Sequence, residues 1–381
     1  MSSPLWPSVM LCLEKAVLGA QSQPCALGWF GDSCQFQCHC AGNTDCDPSN
    51  GACSSGCDPQ WFGPGCQYNV SQITTSNGLW LTDSDDRTCN NDGNAESITV
   101  ALVTPHPLTW VRVVVSDSTY VSDFQLSYRT PVSTSSEQCT EARSAKVDDN
   151  TLDIFCSTSI VVSNVTVSGP AVLGLCTLYI SGGRNVALKQ ATEQSSRYLE
   201  RYAKYAVDGT PSGPDIYFDR TLTCSHTSDE EMAPKFGWWR VTFSNDVEIN
   251  RLIIYNRMDC CEDRLVNFTL QAYSSSGGNP VYSYTDPGGR AQLVYTVVPS
   301  PVIQAPVKSV RFDVSKNTKG SNIMTLCEVY AFGEVVCPPR KFGRQCERDC
   351  NCADQKEACF VSTGGCPSGC AAGYLGEDCY T

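Results

Sequence analysis

The sequence predicts an all-β protein: two jelly-roll β-sandwiches set between two small disulfide-rich modules. Three observations predict it. The 381-residue chain holds 25 cysteines, sixteen of which form two matching groups of eight towards its ends. The region between them alternates apolar and polar residues with a period of two, in two copies, and no long amphipathic helix pattern occurs. A chain of this length exceeds one small domain, and 41% hydrophobic residues suffice for true cores between the cross-linked ends.

Residues 1–24 read as a signal-like leader. The apolar run LWPSVMLCL is followed closely by Glu14 and Lys15, and no basic residue precedes it. Removing the leader with Cys12 leaves an even 24 cysteines, as a closed disulfide set requires. That many cysteines point to an oxidising compartment, so the chain is expected to be secreted or the ectodomain of a membrane receptor. Sequons at Asn69, Asn164 and Asn267 fit that route. No later run is long and apolar enough to span a bilayer. A net charge of −13 argues against nucleic acid and anionic membrane surfaces as partners.

The first module covers 25–66, where Cys25, Cys34, Cys38, Cys40, Cys46, Cys53, Cys57 and Cys66 are separated by 8, 3, 1, 5, 6, 3 and 8 residues. The second covers 337–379, with separations of 8, 3, 1, 6, 6, 3 and 8. WFGDSC ending at Cys34 and KFGRQC ending at Cys346 also match. Both modules resemble laminin-type and multiple-EGF-type repeats, which staple a short loop-rich chain by disulfides. His39 beside Cys-x-Cys offers a zinc reading, but eight spread cysteines among Gly-rich turns read as disulfides.

The sandwiches are expected over 67–182 and 183–334. WVRVVVSDSTYVSDFQLSYR (110–129) aligns without gaps on WWRVTFSNDVEINRLIIYNR (238–257), and GLCTLYISGG (174–183) on TLCEVYAFGE (325–334). Trp239, Val241 and Phe243 fall on one face of a strand, Arg240 and Thr242 on the other. Each copy suits a galactose-binding-like jelly roll. Cysteine arithmetic pairs the second copy internally. Cys89 and Cys176 stand where Cys224 and Cys327 do, and nothing stands for the adjacent Cys260 and Cys261. The expected bridges are Cys89–Cys176, Cys224–Cys327, Cys260–Cys261 and, closing a local loop, Cys139–Cys156.

The segment RMDCCEDR puts Arg257, Asp259, Cys260, Cys261 and Arg264 within eight residues. Guanidiniums are planar forks of fixed donors that do not lose their protons. A bridge between Cys260 and Cys261 would add a small apolar plate. Donors beside such a plate suit a sugar, which has hydroxyls on its rim and C–H patches on its faces. In the gapless alignment Arg257 meets Arg129, but Asp259 meets Pro131, Cys260 and Cys261 meet Val132 and Ser133, and Arg264 meets Ser136. Asn91 holds the place of His226, and Thr177 that of Glu328. The constellation is complete in the second copy and dismantled in the first.

Residues 183–332 resemble the F-type lectins (fucolectins) through GRNVALKQATEQSS, YAVDG, CSHT, GWWRVTF, NRMDCCEDR and LCEVYAFG, in that order. The family's pattern of His, then Arg-x-Asp, then Arg is present as His226, Arg257, Asp259 and Arg264. The interval after His226 is longer than usual, with the excess in SDEEMAPKFG. The resemblance implies recognition of terminal fucose on glycans or glycoproteins, with Asp259 orienting the arginines. It also implies a calcium ion beside the pocket, held by Asp208, Thr210, Thr223 and Glu328 with carbonyls near Tyr205 and Cys327. Thr210 and Tyr205 depart from the commoner amide residues. One site per chain implies oligomers wherever avidity matters. Two other readings stand beside this one. A discoidin-like adhesion ectodomain would bind protein or membrane partners through apolar loop tips. A glycosidase would need a carboxyl with a raised pKa, which flanking arginines oppose, so no enzyme is expected.

Overall fold

The structure, a computed structural model, describes residues 25–75, 78–83, 85–90, 96–139, 143–156, 158, 160–211, 224–228, 237–314, 322–360, 364–375 and 379. The leader, Asn91, Thr223 and most of the SDEEMAPKFG segment lie outside them. The described elements are β-strands and short 3-10 turns, so the chain is all-β. No helix among them is long and apolar enough to cross a membrane.

The first sandwich is built from β1 (Ile73–Thr74), β2 (Ser97–His106), β3 (Trp110–Val115), β4 (Gln125–Arg129), β5 (Glu137–Gln138), β6 (Arg143–Asp148), β7 (Thr151–Phe155), β8 (Val162–Ser168) and β9 (Leu175–Ser181). Its sheets run β6-β7-β3-β9 and β1-β2-β8-β4-β5. Alternate residues Ile98, Val100, Val111, Val113, Val165 and Val167 fill the space between them.

The second sandwich comprises β10 (Arg184–Asn185), β11 (Ala191–Gln194), β12 (Ser225–His226), β13 (Gly237–Tyr255), β14 (Phe268–Tyr273), β15 (Tyr282–Thr285), β16 (Val294–Val297), β17 (Val307–Val314), β18 (Thr325–Leu326) and β19 (Glu328–Val335). Strand β13 serves both walls. Its first half pairs with β11 and β17, and its second with β16 and β19, with register shifts between. Trp239, Val241 and Phe243 point into the core with Leu252, Ile254, Phe268 and Phe312. The Trp239 indole N–H donates to the Ala203 carbonyl at 2.9 Å.

Strand pairing corrects the alignment of the two copies. In the first, β9 places Thr177 opposite Val114; in the second, β19 places Glu328 opposite Tyr255. Val114 is therefore the counterpart of Tyr255, and β3 matches the second half of β13, not the first. The first half is matched by β2, which lies between β1 and β8 as β13 lies between β11 and β17. Arg129 is thus not the counterpart of Arg257. It lies inside β4, with its Nε 3.4 Å from Asn164 Oδ1. The loop corresponding to 256–267 is Ser116–Phe124, which contains neither arginine nor cysteine. The gapless alignment pairs two strands of equal period that sit one place apart in the fold. The constellation is still absent from the first copy.

Twelve disulfides join the 24 cysteines from Cys25 onward. The two end modules share one connectivity: first to second, third to fifth, fourth to sixth, seventh to eighth. The sandwiches carry Cys89–Cys176, Cys139–Cys156, Cys224–Cys327 and Cys260–Cys261.

Both modules fasten to the second sandwich at one buried polar knot. Arg184 Nε donates to Glu334 Oε1 at 2.9 Å, and the Tyr68 hydroxyl donates to Glu334 Oε2 at 2.7 Å. Arg184 Nη2 donates to the Arg344 carbonyl at 2.7 Å. Arg344 in turn donates to Gln67 and to the Asn50 carbonyl, and covers the Phe30 ring. Gly183, at φ +109°, lets the chain enter here; a Cβ would sit 2.3 Å from the Gly333 carbonyl oxygen.

Removing one partner of a buried ion pair strands the other charge without water. Arg184→Met is therefore expected to cost about 3–5 kcal/mol of stability in urea unfolding of the whole chain. A loss below about 1 kcal/mol, the range of exposed pairs, would show that Glu334 is solvated after all.

Candidate functional site

The loop after β13 is shaped from inside by Asn256, which is fully buried. Its Nδ2 donates to the carbonyls of Glu262 (2.8 Å) and Gln292 (3.0 Å), and its Oδ1 accepts from the Arg257 backbone N–H at 2.7 Å. Arg257 then meets Asp259 in a two-pronged pair, Nε to Oδ1 at 2.7 Å and Nη2 to Oδ2 at 2.8 Å. Hydrogen bonding from Arg257 holds the Asp259 carboxyl below its usual range. Cys260 and Cys261 are bonded to each other, and Cys261 sits in the left-handed region at φ +60°. From there it caps the 3-10 turn Glu262–Arg264, with the Arg264 N–H donating to the Cys261 carbonyl at 3.1 Å.

Arg264 reaches a second segment. Its Nη1 lies 2.9 Å from His226 Nε2, while His226 Nδ1 lies 2.7 Å from the Thr227 carbonyl oxygen. A carbonyl only accepts, so Nδ1 carries the proton and Nε2 accepts from Arg264. Burial lowers the His226 pKa to about 4, with the charges of Arg264, Arg257 and Arg201 acting in the same direction. The ring is neutral at neutral pH. His226 is held in β12, paired with Thr325 beside the Cys224–Cys327 bridge. Asp259 orients Arg257; for Arg264 that part is played by His226.

Sequence reasoning missed the segment behind His226. The Gln194 amide donates to the carbonyls of Ser196 (2.6 Å), Arg201 (3.0 Å) and His226 (3.0 Å). The Tyr198 N–H donates to the His226 carbonyl at 3.0 Å, and its ring lies 4.7 Å from the imidazole. Only the run SSRYLER, aromatic and basic amid polar residues, hinted at it.

Of the residues proposed for calcium, Asp208 and Glu328 come together, and Thr223 lies outside the described residues. Tyr205 and Asp208 belong to the turn that leads to Thr210, whose N–H donates to Asp208 Oδ1 at 2.9 Å. Glu328, next to Cys327, is fully buried, and the Gly209 N–H lies 3.3 Å from both of its carboxylate oxygens. The Asp208 and Glu328 carboxyls act on each other. Burial, then the Asp208 charge, pushes the Glu328 carboxyl well above its usual range. A buried and a half-buried carboxyl, each with its pKa raised, are eased by a proton or by a cation. A hard divalent ion with oxygen ligands fits this donor set.

Residues 205–305 match the family model described as NedA-like, galactose-binding domain. The second sandwich is thus galactose-binding-like. A pentraxin fusion protein of Xenopus laevis is 32% identical over 85 residues, covering 22% of this chain and 18% of that protein. The chain thus spans less than a fifth of the curated relative's length. Among solved structures, the fucose binding module SpX-3 of Streptococcus pneumoniae is 26% identical, covering 39% of this chain and 96% of its own, with a TM-score of 0.33. A fucolectin from striped bass (Morone saxatilis) serum is 18% identical, covering 71% and 100%, with a TM-score of 0.33.

A histidine depressed in the folded state binds its proton more readily when unfolded. Its stabilising contribution is present above pH 6.5 and is lost as the pH falls through the window down to about 4. NMR titration of the His226 imidazole should show a midpoint near 4. A midpoint near the ordinary 6.5 would mean that the ring does not accept from Arg264.

Proposed function

We propose that this chain is an extracellular, calcium-dependent lectin whose second sandwich binds terminal fucose-type sugars of glycans or glycoproteins. The observation that carries the reading is the loop 257–264 closed onto His226. Its donors are fixed by Asp259 and His226, beside the bridged Cys260–Cys261 pair. Neutral His226 and ionised Asp259 leave no group poised to give a proton, so the arrangement suits hydroxyl recognition rather than general acid chemistry. Arg257 and Arg264 donate to sugar hydroxyls, and the disulfide offers an apolar surface to the ring. A missing hydroxyl would leave buried donors unmatched, which is the basis of discrimination. The match of 205–305 to a galactose-binding domain family supports a carbohydrate ligand.

Calcium at Asp208 and Glu328 would displace a proton held there. It would also tie the turn after β11 to β19, the strand that pairs with β13 where the sugar loop begins. The disulfides fit an extracellular setting, and multivalent binding would require more than one chain. A discoidin-like adhesion surface calls for apolar clusters at loop tips. Val132 is exposed alone, and Tyr198 with Leu199 lies beside His226 rather than apart from it.

Two measurements test the proposal. Arg264→Ser should weaken binding to fucosylated glycans by at least about 2 kcal/mol, roughly thirtyfold, because a charged donor is lost. Unchanged affinity would sink the assignment. Millimolar calcium should raise the melting temperature of the whole chain, because it binds only the folded state. Glu328→Thr, the residue of the first sandwich, should abolish that rise; if the rise persists, the ion is held elsewhere.

A further inference from the structure

Resting on the sugar site proposed above, we infer that its glycan carries an anionic substituent, a sulfate ester or a carboxylate, which pairs with Arg201. Hydroxyl recognition requires donors but no net charge. Here three guanidiniums, of Arg201, Arg257 and Arg264, gather around a neutral imidazole and act on it together. The carboxylates acting on them are Asp259 and Asp263, so positive charge is in excess. This occurs in a chain of net charge −13.

The three cations are not equivalent. Arg257 is matched by the two-pronged Asp259 pair, and Arg264 is directed onto His226. Arg201 is brought to the same place by its backbone. Gln194 bonds its carbonyl together with that of His226, and its N–H donates to the Tyr198 carbonyl at 3.1 Å. Yet no hydrogen bond or ion pair of its guanidinium is found among the described residues. Burial and the neighbouring Arg257 charge disfavour the cation there, and Asp259, already bonded to Arg257, and Tyr205 offset this only in part. A half-buried guanidinium held beside two others, without a partner, gains most from an anion supplied by the ligand. Sulfate and carboxylate groups on sugars both present oxygens that match the guanidinium fork.

The test uses the whole chain in calcium and three glycans: a fucosylated Lewis-type trisaccharide, its 3′-O-sulfated form and its 3′-sialylated form. Calorimetry should show at least one anionic form binding about tenfold tighter than the neutral one, the scale of one charge-assisted hydrogen bond. The form that gains identifies the anion. Added salt should shrink the gain. Within each variant the ratio of anionic to neutral affinity is the readout: Arg201→Gln should bring it to one and abolish its salt dependence, and Arg201→Lys should retain part of it. Equal binding of all three glycans, or a preference that survives Arg201→Gln, overturns the inference and leaves the fucose reading standing. Binding of none of the three overturns both. Capture of sulfated galactosides without fucose, lost in Arg201→Gln, supports the anion and removes the fucose.

Discussion

The buried Glu334 carboxylate is the constraint on which the rest of the molecule depends. It lies on β19 and is satisfied by Arg184 at the start of the same sandwich and by Tyr68, just after the first module. Arg184 also bonds the backbone of the second module at Arg344. A buried pair is weak evidence for stability, because desolvation offsets much of the attraction. Its value here is geometric. Each partner needs the others in place, so both ends of the chain are fixed against one sandwich rather than strung out as spacers. Lys189 continues the contact, lying over the Trp29 ring and donating to the Cys34 carbonyl at 2.6 Å. Trp29 and Gln37 in turn crowd Gly209, in the turn beside Glu328. The first module therefore buttresses the turn that carries Asp208 against Glu328.

The two sandwiches show how one framework supports a site in one copy and none in the other. Both have the disulfide that locks the last core strand, Cys89–Cys176 and Cys224–Cys327. Both turn through a short 3-10 segment after the equivalent strand, Ser118–Tyr120 in one and Glu262–Arg264 in the other. In the first copy an Asp117 side chain caps that turn by accepting from the Thr119 N–H. In the second, Cys261 caps it from a left-handed backbone without a side-chain hydrogen bond. The bridge to Cys260 ties that cap to its neighbour, and the cap sets the direction from which Arg264 departs. The two copies thus differ in the cap and in the residues it aims, on strands that occupy equivalent places in the fold.

Much of this was legible in the sequence because the signals were local or countable. The spacing of eight cysteines, repeated at both ends, and the parity of the remainder are arithmetic. Alternation along WWRVTF gave the buried face of β13 directly. The register between copies was not legible, because alternating strands with a leading tryptophan resemble one another. WVRVVV was matched to the first half of β13, whereas its pairing partner β9 places it at the second. Only hydrogen-bonded neighbours distinguish these. Gln194, Tyr198 and Arg201 escaped for a similar reason. Gln194 and Tyr198 bond the His226 carbonyl from some thirty residues away, Gln194 holds Arg201 beside it, and no spacing rule encodes this.

The electrostatics of the site follow from one asymmetry. Arginine cannot give up its proton, so wherever several converge the neighbouring groups must adjust. His226 adjusts by staying neutral and offering a lone pair to Arg264, and Asp259 by staying ionised against Arg257. Both adjustments remove proton-transfer capacity and increase rigidity, because each guanidinium acquires a fixed partner. Across the fold the opposite asymmetry holds at Asp208 and Glu328, where two carboxyls meet and the Lys189 charge acts on Asp208. The same sandwich thus gathers positive charge on one loop and negative charge in an adjacent turn, joined through β13 and β19. Surplus charge of either sign is expensive when buried and points to a ligand of the other sign. In the turn the carboxyls adjust by holding their protons more tightly, and on the loop the guanidiniums are held by an ionised carboxylate and a neutral imidazole.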